Sequence, residues 1–313
     1  MKISFRFIRS LFVRRRPVEV ELIPEVDKPV RRWDVRCYSK SGMHRMSCVE
    51  WGDPENDRVL VCAHGLTRNA RDFDALAQSL SKHYRVICPD IVGRGHSDWL
   101  VNKMDYAIPQ YAADVLLMLR HIGAKQVDWV GTSMGGLIGM GLASQPHSVI
   151  KRMVLNDVGP VITASSLQRI GEYVGRAPHF PSYEAGEQFI RAVSADFGNL
   201  TDAQWRQLSI HSLIESSGSW RFRYDPGIGE SFRVAPPVVD IEIWPIWDAI
   251  RCPTLVIRGA KSDLLRADTV AEMTQRGPRA QAVEIPDVGH APVLMDESQI
   301  AIVRQFLLGA DQA

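Results

Sequence analysis

The sequence predicts an α/β fold: a mostly parallel sheet with helices on both faces and a helical cap inserted into it. Three observations carry this. Short, near-continuous apolar runs alternate with amphipathic stretches from residue 34 to 158 and again from 248 to 313, the pattern of parallel strands covered by helices. Between them, residues 159–247 are aromatic-rich and helical in period, with little strand signal. Finally, Gly131-Thr132-Ser133-Met134-Gly135-Gly136 stands between a strand-like run and an apolar helix-like one. That is the setting in which a serine is held up on a strained strand-to-helix turn.

The elements can be taken in order. Val35 to Ser39 and Met46 to Trp51 alternate around Ser41-Gly42 and read as an edge hairpin. Arg58 to Ala63 reads as a buried strand running into His64-Gly65-Leu66. Asn69 is placed to cap a helix whose Phe73, Leu76 and Leu80 share a face. Tyr84 to Cys88 is the next strand and feeds the loop Gly93-Arg94-Gly95-His96-Ser97. A helix from Tyr111 to His121, the strand before Gly131 and the strand Arg152 to Asn156 follow. Within the insertion, Leu167, Ile170 and Val174 share a helical face, Thr201 and Gln204 form a capping box, and Pro236-Pro237 makes a stiff link. Strand, helix, strand and helix then resume at Thr254, Thr269, Ala282 and Ser298.

Composition sets bounds. Hydrophobic residues at 45% and charged residues at 23% fit a globular chain. A net charge of +1 gives no basis for a nucleic-acid partner. Five cysteines, odd in number and without a CxxC pair, read as buried reduced thiols, so a cytoplasmic location is expected. Residues 1–33 stand apart as a basic leader: Lys2, Arg6, Arg9, Arg14, Arg15 and Arg16 precede any acid. Residues 1–16 have the amphipathic pattern of a weak membrane-surface contact and the acid-poor composition of a transit peptide; a solvated leader is the plainer expectation. Oligomeric state is not legible.

The chemistry centres on Ser133. A serine hydroxyl needs a base, and His290 is the expected one, because Asp287-Val288-Gly289-His290-Ala291-Pro292 follows the last strand at the carboxyl edge of the sheet. With nine histidines in the chain, that placement decides. The imidazole in turn needs a carboxylate. Asp263 is preferred, in the loop after the strand at Thr254; Asp157, directly after the strand ending at Asn156, is the competitor. Backbone N–H groups of Leu66 and Met134 are expected to form the oxyanion hole. Arg68 and Asn69, just beyond that turn, are candidate contacts for a substrate carboxylate or hydroxyl, and Trp244 is a candidate wall of an apolar pocket.

These motifs, spread over residues 34–309 in order, resemble the α/β-hydrolase-fold serine hydrolases of the bacterial esterase, lipase and haloperoxidase-like superfamily. The resemblance implies an eight-stranded sheet and hydrolysis of a small or medium carboxylic ester through an acyl-enzyme. The substrate would be a small-molecule ester, with hydroxyacid oligomers, lactones and thioesters in scope. C–C bond hydrolysis, perhydrolysis and a non-catalytic ligand-binding role are the alternatives. No cofactor and no metal are expected, since no histidine, cysteine and carboxylate spacing suggests zinc.

Overall fold

A computed structural model describes residues 31–234 and 238–309. The expected leader lies outside the described residues except for Arg31 to Trp33, which belong to the first strand. The expected Pro236-Pro237 link lies outside them too.

The chain opens with β1 (Arg31–Ser39), β2 (Gly42–Trp51) and β3 (Val59–Ala63). It continues through α1 (Asp74–Leu80), β4 (Arg85–Pro89), α2 (Ile108–His121), β5 (Val127–Thr132), α3 (Met134–Ala143) and β6 (Ile150–Asn156). A long excursion follows: β7 (Val161–Ile162), α4 (Ala164–Tyr173), β8 (His179–Phe180), α5 (Tyr183–Val193), α6 (Asp202–Ser212), β9 (Leu213–Ser216), β10 (Ser219–Phe222), α7 (Glu230–Val234), β11 (Ile241–Glu242) and α8 (Trp244–Ala249). The chain then returns to the sheet with β12 (Thr254–Gly259), α9 (Ala267–Met273), β13 (Gln281–Ile285) and α10 (Glu297–Leu308).

The main sheet has eight strands in the order β1-β2-β4-β3-β5-β6-β12-β13. β2 runs antiparallel to both neighbours and the other pairings are parallel. Strand alternation divides the core in two. Val59, Val61 and Ala63 of β3 join α2 and α3 on one face, with Val115, Met118 and Ile138. Leu60 and Cys62 turn to the other face, with Leu76 and Leu80 of α1 and Val303 and Leu307 of α10. The period of two in the strands is thus read out as two helix layers. The order along the sheet reverses beside β3, and the crevice at the carboxyl ends of the strands there is where such sheets bind ligands.

The excursion between β6 and β12 is less purely helical than its sequence suggests. β8, β10 and β9 form a small antiparallel sheet, and β11 pairs with β7. The physical reason is a tight turn at Ser217-Gly218, both with positive φ, which folds β9 back on β10. Phe180, Ile190, Trp205, Leu208 and Leu213 give this part its own core. Polar contacts tie it to the sheet domain. Asp225, only 2% exposed, accepts from Lys103 Nζ at 2.5 Å and from the Tyr106 hydroxyl at 2.6 Å. Gln207 Nε2 donates to Asp74 at 2.7 Å.

No helix among the described residues is long and apolar enough to cross a membrane. The five cysteines are all free, and four of them are buried.

Candidate active site

Ser133 sits between β5 and α3 with φ +50° and ψ −116°. This is the left-handed half of backbone space, which a non-glycine residue occupies at a cost of about 1–3 kcal/mol. The turn is tight enough to exclude neighbouring side chains. A Cβ on Gly135 would overlap the Ala63 carbonyl of β3, and one on Gly131 would overlap the backbone of Gly135 and Gly136. The hydroxyl is thereby raised at the N-terminus of α3, where free N–H groups favour an anion.

His290 Nε2 lies 2.9 Å from Ser133 Oγ, placed to accept the hydroxyl proton. His290 Nδ1 lies 2.7 Å from Asp157 Oδ2, placed to donate to it. Asp157 directly follows β6, is fully buried and has φ +57°. Its Oδ1 accepts from the Gly259 N–H at 2.9 Å, and its Oδ2 also accepts from Ser262 Oγ at 2.6 Å. Three donors therefore converge on this buried carboxylate and fix its orientation.

This corrects the expectation for Asp263. Its carboxylate is half exposed and makes a bidentate pair with Arg169 of α4, at 2.7 and 2.9 Å. The end of β12 and the loop after it still serve the site, through Gly259 and Ser262 rather than through Asp263. Asn156 adds a brace that the sequence reading passed over: its Nδ2 donates to the Pro292 carbonyl at 2.7 Å and so ties the His290 loop to β6.

Leu66 and Met134 line a cavity at Ser133. The Leu66 loop is fastened from behind. His64, fully buried, meets the Gly65 carbonyl through Nδ1 at 2.8 Å and accepts the Ile91 N–H at Nε2, 2.9 Å away. Burial pushes its pKa down to about 3, so it stays neutral and holds the loop. Arg94, also fully buried, donates Nε to the Leu66 carbonyl at 2.8 Å and Nη1 to the Val92 carbonyl at 2.7 Å. Its guanidinium also lies over the Tyr111 ring. The sequence shows Arg94 only as part of a glycine-rich loop. Arg94→Lys should lower kcat by roughly ten- to a hundredfold, because lysine lacks the fork that positions the loop. Steady-state kinetics beside a melting curve checks this: a loss of stability with kcat unchanged would make Arg94 a packing residue only.

The substrate contacts expected from sequence do not face the cavity. Arg68 is tied bidentately to Asp72, both bonds at 2.7 Å. Asn69 is buried, accepts the Arg71 N–H and donates to the His211 carbonyl at 3.1 Å. Trp244 lies under the Arg276 guanidinium, whose carbon is 4.4 Å from the ring centroid. The described lining comes instead from both parts of the chain. The sheet domain contributes Tyr106, Ala107, Ile108, Tyr111, Leu137, Val158 and Leu264; the excursion contributes Ile162, Leu167, Ile170, Ile228, Ser231 and Phe232. The cavity measures about 200 Å³.

Away from the site, Cys37, His44 and Asp114 come together in the interior, with potential ligand atoms within 4.8 Å of one another. Sequence spacing does not announce this group. His44 Nε2 there hydrogen-bonds Asp114 Oδ2 at 2.9 Å.

Comparison with known proteins agrees with this architecture. The chain is 48% identical over 284 residues to a 3-hydroxybutyrate-oligomer hydrolase of Cupriavidus necator, covering 88% of this chain and 97% of that one. It is 26% identical over 260 residues to a pimeloyl-[acyl-carrier protein] methyl ester esterase of Aeromonas salmonicida, covering 79% and 94%. Among solved structures, an alpha/beta hydrolase from Novosphingobium aromaticivorans superposes with a TM-score of 0.78 at 36% identity, covering 88% of this chain and 98% of that one. Residues 58–296 match the family described as the alpha/beta hydrolase fold, and the chain belongs to that family.

Proposed function

We propose that this protein is a serine esterase that hydrolyses short hydroxyacid oligomers of the 3-hydroxybutyrate type. The observation that carries the reading is the Ser133–His290–Asp157 relay, 2.9 and 2.7 Å per link, beside an apolar cavity of about 200 Å³. The Cupriavidus necator relative, similar along nearly its whole length, supports the substrate class.

The reaction follows from the geometry. Ser133 Oγ attacks the ester carbonyl as its proton passes to His290 Nε2. Asp157 keeps Nδ1 protonated and stabilises the imidazolium. The carbonyl oxygen becomes an oxyanion, met by the N–H groups of Leu66 and Met134, each worth about 3 kcal/mol in the barrier. The carbon–oxygen bond to the leaving alcohol then breaks, and His290 gives that oxygen its proton. Water next adds to the acyl-enzyme, losing a proton to His290; the bond to Ser133 breaks and the serine recovers its proton.

A substrate panel tests this: dimers and trimers of 3-hydroxybutyrate beside aryl butyrates, lactones and thioesters. Oligomers should show the highest kcat/KM. Rapid aryl-ester cleavage with intact oligomers would overturn the substrate assignment, and inertness toward every ester would overturn the esterase reading.

A further inference from the structure

The cavity at Ser133 is one-sided. Its described lining includes Ser133, Leu66 and Met134, but neither His290 nor any residue of the loop that carries it. In ester cleavage the leaving oxygen must face the base that protonates it. The alcohol half therefore departs past His290, and the cavity on the oxyanion side holds the acyl half.

Charge agrees with this assignment. None of the described lining residues is ionic; its polar side chains are two tyrosines and two serines, one of them Ser133. The Tyr106 hydroxyl is already committed to Asp225 and to the Leu100 N–H. An unpaired carboxylate would be costly to bury there. A hydroxyacid oligomer has a hydroxyl end and a carboxylate end, and at every ester bond the acyl half carries the hydroxyl end. The uncharged half of the substrate is the half this cavity suits.

Size then selects the bond. A cavity of about 150 Å³ is filled by one benzene molecule. A 3-hydroxybutyryl group has the same number of non-hydrogen atoms as benzene, so about 200 Å³ matches one such unit. Resting on the oligomer reading above, we infer that the cavity is an acyl site for a single hydroxyl-terminal unit, so that oligomers are shortened one unit at a time from the hydroxyl end.

The test is a 3-hydroxybutyrate tetramer carrying carbon-13 in its two hydroxyl-terminal units, with first products read by mass spectrometry. Labelled monomer with a trimer labelled in one unit is expected first. Acylating the free hydroxyl with a bulky group should slow that first cut by roughly tenfold or more, while methylating the carboxylate should leave it nearly unchanged. Phe232→Ala, which widens the cavity from the insertion side, should shift the first product toward labelled dimer. Unlabelled monomer appearing first would overturn the inference while leaving the oligomer hydrolase intact. A tetramer left whole beside rapidly cleaved aryl butyrate would overturn the substrate reading, and the inference with it.

Discussion

Ser133→Ala should lower kcat by roughly a millionfold while the fold stays intact, because removing the nucleophile of a relay forfeits what the base and acid contribute as well. The residue left behind still presents the oxyanion donors, so a remnant of roughly a thousandfold over water should survive. Wild-type protein should take up a fluorophosphonate label on Ser133 and the variant should not. Unlabelled wild type, or full activity in the alanine variant, would sink the serine mechanism. Backbone strain adds a second, independent readout. Ser133 sits at φ +50°, a conformation that glycine adopts freely and alanine does not. Ser133→Gly should therefore match or exceed Ser133→Ala in melting temperature, although both are inactive.

Asp157→Asn should lower kcat by about ten-thousandfold, and Asp263→Asn should leave it close to wild type. An amide at 157 would disfavour the tautomer with Nδ1 protonated and would not stabilise the imidazolium. Asp263 instead belongs to a half-exposed ion pair with Arg169, an interaction worth about 0–1 kcal/mol and screened by salt. Measuring both variants at one pH, with melting curves to show folded protein, separates the two. A crippled Asp263→Asn beside an active Asp157→Asn would reverse the assignment. Ser262→Ala offers a graded check: one of the three hydrogen bonds to the Asp157 carboxylate disappears, so activity should fall between the other two.

The contrast between these aspartates shows how far the sequence reaches. The eight-stranded sheet was legible because buried parallel strands write themselves as apolar runs, and β3, β5 and β12 do so. Ser133 was legible because a strained turn demands glycines at fixed offsets, and His290 because it follows the last strand. The acid was harder. Asp157 and Asp263 each follow a strand that ends at the same edge of the sheet, and strands β6 and β12 are neighbours. Chain order cannot tell adjacent loops apart; the choice rests on which carboxylate the surroundings desolvate. The partner that draws Asp263 away, Arg169, comes from α4 of the excursion, whose placement is a tertiary fact with no local signature. The same holds for Arg68 and Asn69. Their position beside the oxyanion turn was readable, but their capture by Asp72 and by the His211 carbonyl was not. The hairpin of β9 and β10 had a signal in Ser217-Gly218, which the helical period around it obscured.

Asp157 has one more consequence, for anyone who would re-engineer the chain. It directly follows a sheet strand and starts the path out to the excursion. A transplanted excursion joined at Gly159 would carry new cavity walls in place of Ile162, Leu167, Ile170 and Phe232 and leave the proton relay whole. One joined at Asn156, three residues earlier along the same strand end, would carry off both the acid and the brace on the His290 loop. The seam between altered selectivity and lost turnover is therefore narrow, and it runs through Val158.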